Sequence, residues 1–166
     1  MFTEDDKLDY KNKFKEEFPC RYATDSQIQK LTEVLGHISN EPGSKAKEPG
    51  ELWGPTWAAI NNSDLKSYYI DFSKPFSELL EFYNISPEGE VYLYIMQTSS
   101  VKVLDYDPSK KYPGKEFIFT TDSQGLKNSF DYIWGPEYEF VLICDQTGQW
   151  CIGVHMDLIA TCWKSA

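Results

Sequence analysis

Cys144, Cys151 and His155 are the residues whose types and spacing could do chemistry together. If residues 138–145 and 150–155 fold back on each other about Thr147-Gly148, Cys144 faces Cys151, and His155 falls on the same side of the ribbon. Two thiolates and an imidazole could hold zinc with a fourth position open. Alternatively, the imidazole could serve as the base that activates a thiol nucleophile. The sequence favours neither outcome. It contains no Cys-x-x-Cys, the spacing matches no zinc signature, and nothing around either thiol resembles a nucleophile elbow or a protease motif. Buried cysteine commonly serves as a small apolar side chain. No catalytic residue, metal or cofactor is therefore expected. A Cys144–Cys151 disulfide is possible but disfavoured wherever thiols are kept reduced. The other histidine, His37, falls near the end of a predicted surface helix, where it complements the helix dipole.

Carboxylates are too abundant to single out a catalytic pair. Asp105/Asp107 and Glu137/Glu139 have the i,i+2 spacing that puts two carboxylates on one face of a strand. A hydrolytic site needs such a pair inside a cleft, whereas a solvated sheet edge needs nothing further. No glycine-rich phosphate loop is present. The more informative pattern is regional. Residues 128–163 contain no lysine or arginine, and their acids Asp131, Glu137, Glu139, Asp145 and Asp157 interleave with Tyr132, Trp134, Tyr138 and Trp150. Aromatic anchors among carboxylates suit a basic protein partner: the rings supply contact area and the acids supply steering. Asp131, Trp134, Glu137, Tyr138, Glu139, Asp145 and Trp150 are the candidate partner-binding residues. The alternative reading of the aromatics is core packing, and Trp150, beside the turn and among core strand residues, fits either.

These residues must be positioned by regular elements. Thr3 with Asp6 resembles a capping box, and Leu8, Phe14 and Phe18 form a narrow apolar stripe on a first helix that Pro19 ends. Ile28, Leu31, Leu35 and Ile38 recur at helical spacing after Thr24 or Asp25, with Gly36 weakening the last turns. Residues 39–51, with two Pro-Gly pairs, read as a loop. Strands are predicted over 66–72, 90–97, 100–104 and 116–121. Helices are predicted over 73–83, with Pro75 in the first turn, and from Asp122 to about Ile133. The hairpin 138–155 is the clearest element. Val141, Ile143, Ile152 and Val154 line one face, while Phe140, Leu142 and Cys144 line the other. Both faces are apolar, so the hairpin belongs at the centre of its sheet. Residues 157–164 close the chain as a short helix or a further strand. Trp53-Gly54-Pro55 and Trp134-Gly135-Pro136 repeat one tripeptide without matching flanks, which reads as two aromatic-anchored turns.

The fold class expected is α+β: one domain with a mostly antiparallel or mixed sheet of about five to six strands and N-terminal helices packed on it. Within it, 1–38 form a helical arm, 39–51 a flexible loop and 52–166 the sheet-containing core. A chain of 166 residues with 16% aromatics has enough apolar surface to fold without staples. The net charge is -10, and Arg21 is the only arginine. Such a field repels polyanions, so nucleic acid and anionic membrane surfaces are disfavoured as partners. It attracts basic proteins instead. The acidic N-terminus has no apolar run of a signal peptide, so a cytoplasmic location is expected.

With its acidity, its N-terminal helix pair and the aromatic-rich hairpin YEFVLICDQTGQWCIGV at 138–154, the chain resembles bacterial immunity proteins of polymorphic or contact-dependent toxin systems. That resemblance implies a non-catalytic protein that binds one cognate toxin domain, such as a basic nuclease, and blocks its active site. It carries over no individual functional residues. The readings from other classes are a regulatory adaptor without a toxin partner and a small hydrolase using Cys144, Cys151 or His155.

Overall fold

The computed structural model describes Asp5 and residues 21–40, 49–71, 73–98, 118–128, 138–155 and 158–165; the side chains of 96–98, 127–128 and 138–140 lie outside that description. Asp5 is helical. The rest of the predicted first helix, the 100–104 strand, the Asp105/Asp107 pair and the second Trp-Gly-Pro tripeptide lie outside the described residues.

Helix α1 spans Asp25–Ser39. Its start is fixed by a reciprocal cap: the Gln27 N–H donates to Thr24 Oγ1 (3.2 Å), and the Thr24 N–H donates to Gln27 Oε1 (2.9 Å). Its end is an αL residue, Asn40, at φ 54°. The apolar stripe buries Leu31, Val34, Leu35 and Ile38, and Gly36 is held inside the helix rather than ending it. The part of the predicted loop that is described departs from expectation. Pro49–Leu52 form a 3-10 turn with Pro49, Gly50 and Leu52 buried. It leads directly into α2, Trp53–Asn61. Trp53-Gly54-Pro55 is thus the first turn of a helix. Pro55 is tolerated there because the first-turn N–H groups have no intrahelical acceptor. The Thr56 hydroxyl donates to the Leu35 carbonyl and ties α2 to α1.

The remaining helices are α3, Phe76–Phe82, and α4, Ser123–Asn128. Pro75 is the N-cap of α3, just outside the first turn it is predicted to occupy, because the helix starts at Phe76 rather than at Ser73. Asp122 caps α4 by accepting the Gly125 N–H at 2.7 Å. The strands are β1 (Arg21–Tyr22), β2 (Tyr68–Tyr69), β3 (Val91–Thr98), β4 (Ile118–Thr121), β5 (Tyr138–Asp145), β6 (Trp150–Val154) and β7 (Ile159–Lys164). They form one sheet in the order β1-β4-β3-β5-β6-β7-β2, and every pairing is antiparallel. The fold is therefore α+β as expected. The strand count exceeds five to six because β1 is an edge strand that the sequence does not predict and residues 157–164 resolve as strand β7 rather than a helix; β2 is only two residues of the predicted 66–72.

Both faces of the sheet are covered, and the period-2 alternation of each strand divides the core in two. Toward α3 and α4 point Val91, Leu93, Ile95, Val141, Ile143, Trp150, Ile152 and Cys162, packed on Phe76, Leu79, Leu80 and Leu126. Toward α1 and α2 point Tyr92, Tyr94, Leu142, Cys144 and Cys151, packed on Leu31, Leu35, Leu52, Trp53 and Ile60. The predicted hairpin is β5–β6, near the middle of the sheet, in the predicted register of Cys144 opposite Cys151. Its turn differs by one residue. The Gly148 N–H donates to the Asp145 carbonyl at 3.1 Å, so Gln146 and Thr147 are the central pair, and Gly148 follows at φ 74°. No helix among the described residues is long and apolar enough to cross a membrane.

Candidate functional site

The acids and aromatics proposed from sequence around the hairpin do not all meet on a surface. Asp145 is only 6% exposed, and its carboxylate is taken up by its own turn. Asp145 Oδ2 accepts the Thr147 hydroxyl and the Gln149 N–H. Trp150 is 7% exposed and packs into the core beneath α3 and α4. The alternation that buries Ile152 and Val154 on that side buries Trp150 with them. In this position neither side chain offers itself to a partner, which corrects the expectation for these two. Tyr138 and Glu139 are residues of β5 whose side chains are not described, and Asp131, Trp134 and Glu137 lie outside the described residues.

The thiols and the imidazole share a face but not a place. Cys144 Sγ and Cys151 Sγ are 2.8 Å apart, both sealed in the core under α1 and α2. Burial, with the neighbouring Cys144 sulfur, pushes the Cys151 thiol well above its usual range. Cys162 lies on the opposite face of the sheet, pushed up to about 12 by burial. His155 follows β6, four residues beyond Cys151, which at about 3.3 Å per residue is roughly 13 Å along the strand. There its ring packs on Trp57, with centroids 4.4 Å apart, and its Nε2 sits 3.2 Å from the Thr161 hydroxyl. Thr161 in turn reaches Asn61 Oδ1 at 3.5 Å. A period-2 argument places residues on a face and says nothing of distance along it. No group of three His, Cys, Asp or Glu among the described residues is arranged to hold a metal.

An acid–aromatic surface does occur, at the opposite end of the sheet order from β1. Strand β2 pairs with β7 through Tyr68–Ala160 and Tyr69–Ile159, and it is the last strand on that side. Tyr69 is 76% exposed, and Phe82, at the end of α3, is 49% exposed. Leu65 and Leu158 are also exposed, and the Ile70 N–H donates to the Leu158 carbonyl, which brings the two segments together. Tyr68 points to the other side of β2 from Tyr69 and packs with the α3 layer. Its ring lies 5.2 Å from that of Phe82, and its hydroxyl lies 3.5 Å from Glu78 Oε2, so Phe82 and Tyr69 lie on opposite faces of this edge.

The segment that carries these rings is acidic. Residues 64–83 carry Asp64, Asp71, Glu78 and Glu81 against Lys66 and Lys74, and Lys74 is already engaged by Glu78 at 3.8 Å. Asp71 accepts the Ser73 hydroxyl (2.7 Å) and N–H (2.9 Å). These bonds hold its carboxyl below the usual carboxylate range, so it stays charged. Burial, then the Glu78 charge, raises Tyr68. Between β2 and α3 lies a cavity of about 10 Å³ lined by Tyr68, Ile70, Asp71, Lys74, Pro75, Phe76 and Leu79. That is room for about one water molecule and far below the ~300–1,000 Å³ clefts that enclose small ligands.

Sequence reasoning missed this corner because it followed the lysine-free stretch. The available signal was the pair Tyr68-Tyr69 in a segment with charge on both flanks. Together the sheet and its two helix layers define an acidic α+β domain with exposed aromatic side chains along its β2 edge. Comparison of the chain with known protein families, with curated proteins and with solved structures finds no match.

Proposed function

We propose that this chain is a non-catalytic acidic binding protein that neutralises a basic protein partner by direct contact, as an immunity protein neutralises its toxin. The observation that carries this reading is the β2 edge of the sheet, which exposes Tyr69 on one face and Phe82, beside Tyr68, on the other, in a segment carrying Asp64, Asp71, Glu78 and Glu81. Exposed aromatic side chains in an acidic segment have the composition of a contact surface with a steering rim. The net charge of -10 acts in the same direction over the whole molecule and opposes nucleic acid as the ligand. The roughly 13 Å between His155 and the cysteine pair weighs against a Cys–His dyad, as does the burial of both sulfurs.

The test is co-expression with the product of the neighbouring gene. A toxic basic domain whose toxicity the chain relieves, and which co-purifies with it, supports the proposal; relief that survives Tyr69→Ala and Phe82→Ala together places the contact elsewhere. Substitution of Asp131, Trp134, Glu137, Tyr138 and Glu139 examines the other acid–aromatic stretch in the same assay. A chain that neither binds nor relieves any such product favours the adaptor reading.

A further inference from the structure

We propose that Cys144 and Cys151 form a redox pair that closes to an intramolecular cross-strand disulfide, with Cys162 excluded from it. The two residues are directly opposite in the β5–β6 ladder. Directly opposed residues in an antiparallel ladder have Cα separations of about 4.5–5.5 Å, inside the range that a disulfide spans. Their sulfurs already point at one another at 2.8 Å, so a covalent bond of about 2.0 Å requires under an ångström of closure. Cys162 pairs with Ile152 and projects from the other side of the sheet, where the hairpin itself separates it from the pair.

Both sulfurs are sealed from solvent, so the reaction depends on opening. The route is short. Cys144 and Cys151 lie one position inside the strand ends Asp145 and Trp150, and the turn residues Thr147 and Gln149 are exposed. Fraying of this end uncovers the sulfurs without unfolding the sheet. The co-reactant is a low-molecular-weight disulfide. One protein thiolate attacks it, forming a mixed disulfide and releasing one small thiolate. The second protein thiolate then attacks the protein sulfur of that mixed bond and releases the other. Two electrons pass from the protein dithiol to the small disulfide, and the two protons end on the two small thiols released.

The full chain, equilibrated in buffers running from reduced to oxidised glutathione, is quenched in acid, alkylated in denaturant and mapped by mass spectrometry. The expected result is a single transition in which the chain loses two hydrogen atoms. Cys144 and Cys151 stop accepting the alkylating agent together and are recovered as one cross-linked peptide, while Cys162 goes on reacting. Cys162→Ala is expected to keep the transition unchanged. The proposal is overturned if both thiols stay alkylatable in fully oxidised buffer, or if each carries a glutathione without joining the other. A linkage of either to Cys20 or Cys162, or loss of the transition in Cys162→Ala, overturns it equally.

Discussion

Gly153 shows how a single atom constrains the molecule. A Cβ at this position would lie 3.0 Å from Trp57 Cζ3 and 3.5 Å from Thr161 Oγ1. Its absence lets Trp57 of α2 lie against β6 and leaves room for the His155–Thr161 contact beside it. Gly153→Ala is therefore expected to lose about 1–3 kcal/mol in urea titrations through overpacking.

The titrating side chains make a second prediction at this scale. Burial raises Cys162 from 9.0 to about 12 and Tyr92 from 10.0 to about 12, and it raises Cys151 in the same direction. Above pH 9 the unfolded chain loses protons that the folded chain keeps, so the unfolded state binds fewer protons and stability falls as pH rises. Stability is expected to be level from about pH 6 to about pH 8 and to decline continuously toward pH 12, read from thermal midpoints. Cys162→Ala is expected to shallow that slope.

Among the elements, α1 and the β5–β6 hairpin were legible because their signals are local. Apolar residues three and four apart follow a Thr–Gln cap in α1, and two runs apolar on both faces flank a polar turn in the hairpin. The cap is testable: Thr24→Ala removes the acceptor of the Gln27 N–H and is expected to cost about 1 kcal/mol in denaturant titration. Helix α2 was not legible. Trp53-Gly54-Pro55 carries the local chemistry of a turn, and its helical state rests on tertiary contacts. Trp53 packs edge-on to Tyr94 at 5.0 Å and stacks on Trp57 at 5.7 Å. The edge strands β1 and β2 are two residues each, too short to leave a periodicity. The hairpin turn slipped one residue because Thr147-Gly148 resembles a two-residue loop, while Asp145 binds the turn through its side chain.

At the scale of the whole molecule, the acidity that composition announces finds its described aromatic counterpart at an edge of the sheet. Of the candidate site, the sequence supplied a pattern of carboxylates among aromatics but not its exposure. Exposure depends on which strand is outermost, and that is a property of the strand order. Asp145 and Trp150 satisfied the pattern and are buried; Tyr69 and Phe82 satisfy it and are exposed. Tyr69→Ala is expected to change unfolding stability by no more than about 0.5 kcal/mol, and Phe82→Ala, which also loses the Tyr68 ring contact, by about 0.5–1.5 kcal/mol, while both remove area from the proposed contact.

The measurement that tests this account most directly is affinity capture from the native host with the wild-type chain and with Tyr69→Ala/Phe82→Ala side by side, each at low and high salt. The expected result is one basic protein held in fixed ratio by the wild type, released as salt rises and absent from the double variant. Recovery of the same proteins by both chains, or of no basic protein by either, would contradict it.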